Sequence, residues 1–322
     1  MEIAASELGP VIGHDAAKQR FLDAARSGQM HHGWMLRGPR GVGKARLALQ
    51  FAGFLLGARS MPELSADGED KVGRLILAGS HPDLRILRVP VDDKGKAKTE
   101  IPVDTVRDLS RFFSLRPAMG GWRVAIIDAV DELNRFGANA ILKTLEEPPP
   151  SAVLFLIAHG ERALPPTVRS RCRVLPCPPL SEPETIAALE MAHMPKARAE
   201  EAARASPGRP GRALAVQGPE ADAASEAIRS ALRQADNLEA GVLRAALNAA
   251  SKSDVAMSAA MQTLRASLQK RASREFDPVI AGDWAAAALD VMRIEAEGRD
   301  LNQDKGQTVA AALARVSRLA GA

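Results

Sequence analysis

Between residues 34 and 45 an apolar run, Trp34–Arg37, passes directly into Gly38-Pro39-Arg40-Gly41-Val42-Gly43-Lys44-Ala45, and a helical pattern begins immediately behind it. This context restricts the fold more than any other feature of the chain. A glycine-rich turn between a strand and a helix lets several backbone N–H groups converge on one phosphate, and the positive end of the helix dipole adds to them. Lys44 stands where a side chain reaches terminal phosphates. The bland alternative is a glycine-rich strand–helix turn with no ligand.

Residues 1–178 repeat the same rhythm of short apolar runs and helical patterns, which predicts a parallel sheet with crossover helices. Strands are expected at Trp34–Arg37, Leu84–Val89, Arg123–Ile127, Val153–Ala158 and Arg173–Leu175, with helices beginning near Gly43, Val103 and Asn134. Leu154-Phe155-Leu156-Ile157 is apolar without alternation, as in a strand covered on both faces. Residues 57–80 and 91–100, rich in glycine, serine, proline and charge, read as surface excursions. The proline-rich segment 176–183 marks a domain boundary. Beyond it alanine dominates and apolar residues recur at helical spacing. A Gly/Pro-rich interval at 206–218 divides this part into a small helical lid, 179–217, and a helical bundle, 218–322. Helices are expected at Ala224–Arg233, Leu238–Ala250, Val255–Arg271 and Trp284–Ala296. Arg265, Lys270 and Arg271 form a candidate basic surface with no assigned ligand.

The phosphate loop lacks its final member. A Ser or Thr after the lysine supplies a hydroxyl to magnesium, and Ala45 has none. Val124-Ala-Ile-Ile-Asp128 is an apolar strand ending in a carboxylate able to hold magnesium through water. The residue after it, Ala129, can neither accept a proton nor orient a water. Asp131 and Glu132 are read as first-turn acids offsetting a helix dipole. The site is therefore expected to be weak or inactive in hydrolysis.

Composition narrows the setting. The chain has 322 residues, a formal charge of +4 and a pI near 9.3, which permits a nucleic-acid partner without requiring one. Two cysteines, Cys172 and Cys177, are too few for a disulfide framework or a zinc site. The first residues, MEIAASELGP, lack the pattern of a signal peptide, and no apolar run approaches the roughly 20 residues of a membrane span, so a cytoplasmic location is expected.

Ala138-Asn-Ala-Ile-Leu-Lys-Thr-Leu-Glu-Glu-Pro148-Pro149, followed by Leu154-Phe-Leu-Ile157 and then Val168-Arg-Ser170-Arg171-Cys172, resembles the AAA+ clamp-loader family, of which the Ser-Arg-Cys triplet is a hallmark. His31-His32-Gly-Trp-Met-Leu36 and Pro207-Gly-Arg-Pro-Gly211-Arg212 extend the likeness over most of residues 8–216. The resemblance implies an AAA+ RecA-like α/β domain, a helical lid and an all-α collar that holds a ring together. A decayed site beside an intact Ser-Arg-Cys is similar to the non-motor delta-prime branch of DNA polymerase III clamp loaders, not to the ATP-hydrolysing gamma/tau branch. By that likeness Arg171, with Ser170, is an arginine finger offered to a neighbouring gamma/tau site. Gly38, Gly41, Gly43, Lys44, Ala45, Asp128 and Arg212, the last at a sensor position in the lid, make up the chain's own nucleotide pocket. ATP or ADP is then held weakly or not at all, with magnesium only alongside nucleotide. Partners are gamma/tau, delta, the sliding clamp and, through the complex, primer–template DNA. The family's four-cysteine zinc module has no counterpart at 57–80, so no zinc is expected. The strand-end sensor falls near His159. The rival for Arg171 is pairing with a carboxylate of the same chain; for Arg212, a solvated arginine at a helix start. The competing function is an autonomous AAA+ ATPase of gamma/tau or branch-migration type.

Overall fold

The computed structural model describes residues 10–58, 70–90, 100–160, 164–234, 239–301 and 303–320. They fold as two compact units, 1–194 and 195–322.

In the first unit, β1 (Gly33–Arg37), β2 (Leu84–Arg88), β3 (Arg123–Asp128), β4 (Ala152–Ala158) and β5 (Arg173–Pro176) form one parallel sheet in the order β2-β3-β4-β1-β5. This is the expected parallel α/β sheet with crossover helices. The cause of the missing alternation in β4 is visible in its packing. Val153, Phe155 and Ile157 enter one core with α1 (Asp15–Arg26) and α2 (Lys44–Leu55); Leu154, Leu156 and Ala158 enter a second with α4 (Val103–Ser114) and α5 (Arg135–Glu146). The strand keeps its two-residue period, but both faces are covered. In the first core the Phe21 and Phe51 rings stack 4.0 Å apart. The crossover after β1 places its following loop at the carboxyl edge of the sheet, beside the end of β3, where open α/β sheets hold ligands.

A buried ion pair ties this sheet to its connections. Asp83, fully buried just before β2, lies 3.3 Å from Arg123 at the start of β3. Its two oxygens accept the N–H groups of Ala118 and Met119 at 2.8 and 2.9 Å. Arg123 donates to the Phe112 carbonyl at 2.6 Å and lies over the Phe112 ring.

The expected excursion at 57–80 needs correction. Lys71–Leu77 is a helix, α3, capped by the Asp70 carboxylate, which accepts the Gly73 N–H, and it buries Ile76 in the first core. The polar composition of the window as a whole masked seven residues with a helical face. Residues 59–69 and 91–99 lie outside the described residues. The short α6 (Pro166–Arg169) and α7 (Glu182–Met191), begun by a reciprocal Ser181–Glu184 capping box, complete the unit.

The second unit is helical: α8 (Lys196–Ala205), α9 (Pro210–Leu214), α10 (Pro219–Arg233), α11 (Ala240–Ala250), α12 (Asp254–Arg274), α13 (Pro278–Asp300) and α14 (Lys305–Ala320). Buried alanines, among them Ala224, Ala246, Ala260, Ala287 and Ala312, let the helices approach closely around Ile228, Leu264, Trp284 and Val291. The division at 194/195 falls inside the stretch 179–217, with α7 in the first unit and α8 and α9 in the second. The proposed basic surface is not one. Arg265 is buried, and Arg271 donates to the Leu232 carbonyl and lies over the Trp284 ring, leaving Lys270 exposed. Their spacing along α12 turns these residues toward different neighbours. Among the described residues no helix is long and apolar enough to cross a membrane.

Candidate functional site

The glycines of the loop after β1 are dictated by geometry. A Cβ at Gly38 would sit 1.8 Å from the Cys177 carbonyl oxygen, so only glycine lets the loop pass the end of β5. Gly41 and Gly43 have φ of 89° and 102°, the left-handed region that glycine enters without penalty. Gly43 caps α2, and His14 Nε2 donates to the Val42 carbonyl at 2.8 Å from outside the loop. The strand, glycine turn and helix N-terminus expected from the sequence are therefore present.

Lys44 folds back onto this turn. Its Nζ donates to the Gly38 and Pro39 carbonyls at 2.5 and 2.7 Å, and the side chain is almost wholly buried. Burial pulls its pKa from 10.5 down to about 8. A neutral amine cannot pair with phosphate. Any affinity of the isolated chain for a fluorescent ADP analogue is thus expected to weaken about tenfold per pH unit above 8, by the ordinary linkage of binding to protonation. A flat profile between pH 8 and 9.5 would remove Lys44 from the binding site.

The acidic side of the pocket is committed to protein partners. Asp128 ends β3 directly opposite Arg88 on β2 and pairs with it at 3.2 Å. Burial pushes the Asp128 carboxyl up, while Arg88 opposes that shift. Positions 45 and 129 carry methyl groups, the second fully buried. The hydroxyl that magnesium would take is thus missing at position 45, and the carboxylate that ends β3 faces a guanidinium.

The expectation for Asp131 and Glu132 is corrected. They lie in a short 3-10 turn, Val130–Glu132, and α5 begins later, at Arg135 behind its Asn134 cap. Asp131 accepts the N–H groups of His159 and Gly160 at 2.6 and 3.1 Å, holding the end of β4. Glu132 pairs with Arg40 of the loop at 2.9 Å and accepts the Ala129 N–H. Two acids that resembled dipole complements are struts between the loop, β3 and β4. Periodicity carried no sign of this, because the partners are 28 and 92 positions away.

Arg171 lies at the junction of α6 and β5, with its side chain about one-third exposed. It pairs with Glu146 at 2.9 Å and donates to the Thr167 carbonyl at 2.9 Å. Ser170 Oγ donates to the same carbonyl and lies 3.4 Å from the guanidinium. The rival pairing weighed for Arg171 is thus present, and the carboxylate is a surface one at the end of α5. Beside it, burial pushes the Cys172 thiol up to about 12 and the Cys177 thiol up to about 11, which suits packing and not nucleophilic chemistry.

In the second unit, Arg212 of α9 is about one-quarter exposed. It pairs with the buried Glu295 of α13 at 2.8 Å, and Arg209 and the buried Arg265 feel the same carboxylate. Burial pulls the Arg265 pKa down to about 10. Glu295→Ala should therefore destabilise the chain by about 2–3 kcal/mol, since it leaves guanidinium groups facing one another. An unchanged urea midpoint would refute this.

Residues 13–181 match the family model described as DNA polymerase III, delta subunit. Over 150 residues the chain is 40% identical to DNA polymerase III subunit delta' of Pseudomonas aeruginosa, a match covering 47% of this chain and 44% of that one. It is 32% identical over 162 residues to DNA polymerase III subunit tau/gamma of Haemophilus influenzae, covering 50% of this chain and 22% of that one. The chain thus spans less than half the length of either relative. A crystal structure of a DNA polymerase III gamma subunit-related protein from Thermotoga maritima superposes with a TM-score of 0.52 at 14% identity, covering 95% of this chain and 99% of that one, a likeness of fold.

Proposed function

The chain belongs to the DNA polymerase III delta-subunit family, and from that premise we propose that it acts as the non-motor, delta-prime-type subunit of a clamp loader, in the cytoplasm. It assembles with gamma/tau and delta subunits, offers Arg171 to the nucleotide site of a gamma/tau neighbour, and so helps place a sliding clamp on primed DNA. One combination carries this reading. The phosphate loop keeps its glycines and Lys44 but has methyl groups at positions 45 and 129, whereas Arg171 stays at the surface beside Ser170.

The chemistry follows from charge. A guanidinium set against the terminal phosphate of a neighbour's triphosphate offsets the negative charge that develops as the phosphoryl group leaves, and such a finger supplied in trans is worth roughly 10³–10⁵ in rate. In the chain's own pocket the glycine cradle and Lys44 would hold the phosphates of ATP or ADP, without a complete set of oxygens for magnesium. Contact with DNA is through its phosphates, and is accordingly weakened by salt.

The test is turnover. The purified chain alone should hydrolyse ATP at background rate, and adding gamma/tau and delta should give a stable complex that is active on primed DNA. The autonomous ATPase is the competing reading. Turnover by the isolated chain that disappears on Lys44→Ala would establish it and sink the present proposal.

A further inference from the structure

We propose that Glu146 is the positioning residue of Arg171, holding the guanidinium in the orientation in which it meets a neighbour's phosphate. This deepens the reading of Arg171 as a finger and rests on it.

Glu146 is the last residue of α5. A carboxylate at that end of a helix faces the negative pole of the dipole and is disfavoured there unless a cation compensates it. Arg171 Nη2 supplies the cation at 2.9 Å. Its other terminal nitrogen, Nη1, donates to the Thr167 carbonyl on α6. A planar guanidinium gripped through two different nitrogens, from two elements, loses its rotational freedom. Of its five N–H donors, the two on Nη1 go to the Thr167 carbonyl and to Ser170 Oγ, while Nε–H takes part in neither contact and stays open to an incoming phosphate.

The mount itself is rigid. His32 Nε2 donates to the carbonyl of Leu145 at 3.0 Å, tying the last turn of α5 to the start of β1. Gly33 fills the remaining space. A Cβ there would lie 2.8 Å from the Leu145 side chain, 3.2 Å from the Arg171 carbonyl oxygen and 3.3 Å from Cys172 Sγ. The His-His-Gly segment, the Leu-Glu pair and the Ser-Arg-Cys triplet, far apart in sequence, thus meet at one corner. The Glu146–Arg171 pair is also exposed to solvent, about one-third on the arginine side and half on the glutamate side, and pairs of this kind contribute little to stability. Its use is therefore in aiming the side chain, and removing it leaves the fold intact.

The test is a double-mutant cycle in the assembled complex with gamma/tau and delta, reading the rate constant of the single-turnover phase assigned to the site facing this chain. Glu146→Gln is expected to slow that phase roughly tenfold at saturating ATP, with the half-saturating ATP concentration unchanged, because misaimed donors cost rate and not ground-state binding. In an Arg171→Ala background the same change should cost nothing further. A thermal midpoint of the Glu146→Gln chain equal to wild type completes the expected pattern. If Arg171→Ala is slow but Glu146→Gln runs at the wild-type rate, or loses equally in both backgrounds, positioning is wrong while the finger stands. If Arg171→Ala itself runs at the wild-type rate, both fall.

Discussion

In a complex carrying Arg171→Ala, ATP hydrolysis at the site that faces this chain should slow by roughly 10³, the lower end of what a finger supplied in trans contributes. The loss is specific to one interface. It is best read as a missing rapid phase in single-turnover hydrolysis, with the phases of the remaining sites preserved. Arg171→Lys is expected to restore little. An ammonium keeps the charge, but it cannot donate to the Thr167 carbonyl, to Glu146 and to a phosphate in fixed directions as the planar fork does. Assembly should survive both changes, because the side chain is a surface one and, among the described residues, its only ion pair is partly exposed. Full retention of every rapid phase in the alanine complex would remove the finger from the mechanism.

The second large effect is on stability. Asp83→Ala should lower the unfolding free energy of the chain by about 3–5 kcal/mol, the range for breaking one partner of a buried ion pair. The change removes acceptors for the Ala118 and Met119 N–H groups and leaves the buried Arg123 without its counter-ion. Replacing both residues tests the cause. Asp83→Leu with Arg123→Met exchanges two buried charges for apolar volume and should recover a substantial part of the loss. A urea midpoint for Asp83→Ala within error of wild type would show that the pair carries no such weight.

These two predictions differ in how much of them a reader of the sequence could have made. Arg171 was marked by its triplet and by the block that precedes it. Asp83 was not, since a lone acid before an apolar run looks like a solvated strand end. The same contrast runs through the site. The glycine loop, the strand ending in Asp128 and the methyl groups at 45 and 129 are legible because each is a pattern within a dozen residues. Arg88 against Asp128, Arg40 against Glu132 and Arg212 against Glu295 are not, with separations of 40, 92 and 83 positions. Lys71–Leu77 was missed for a different reason, its seven residues being diluted by the polar stretch around them.

What the sequence determined by itself was therefore local. Five strands, the helix starts at Gly43, Val103 and Asn134, and the loss of the oxygens that magnesium requires all follow from side-chain period and from functional groups present or absent at fixed offsets. Only the tertiary structure decided which carboxylate each buried or half-buried arginine meets. That choice depends on strand order and register, which bring Arg88 opposite Asp128 and set α5 beside the Ser-Arg-Cys turn. Strand order in turn is set by the packing of apolar side chains on both faces of the sheet at once, a property of the whole chain that no short window contains.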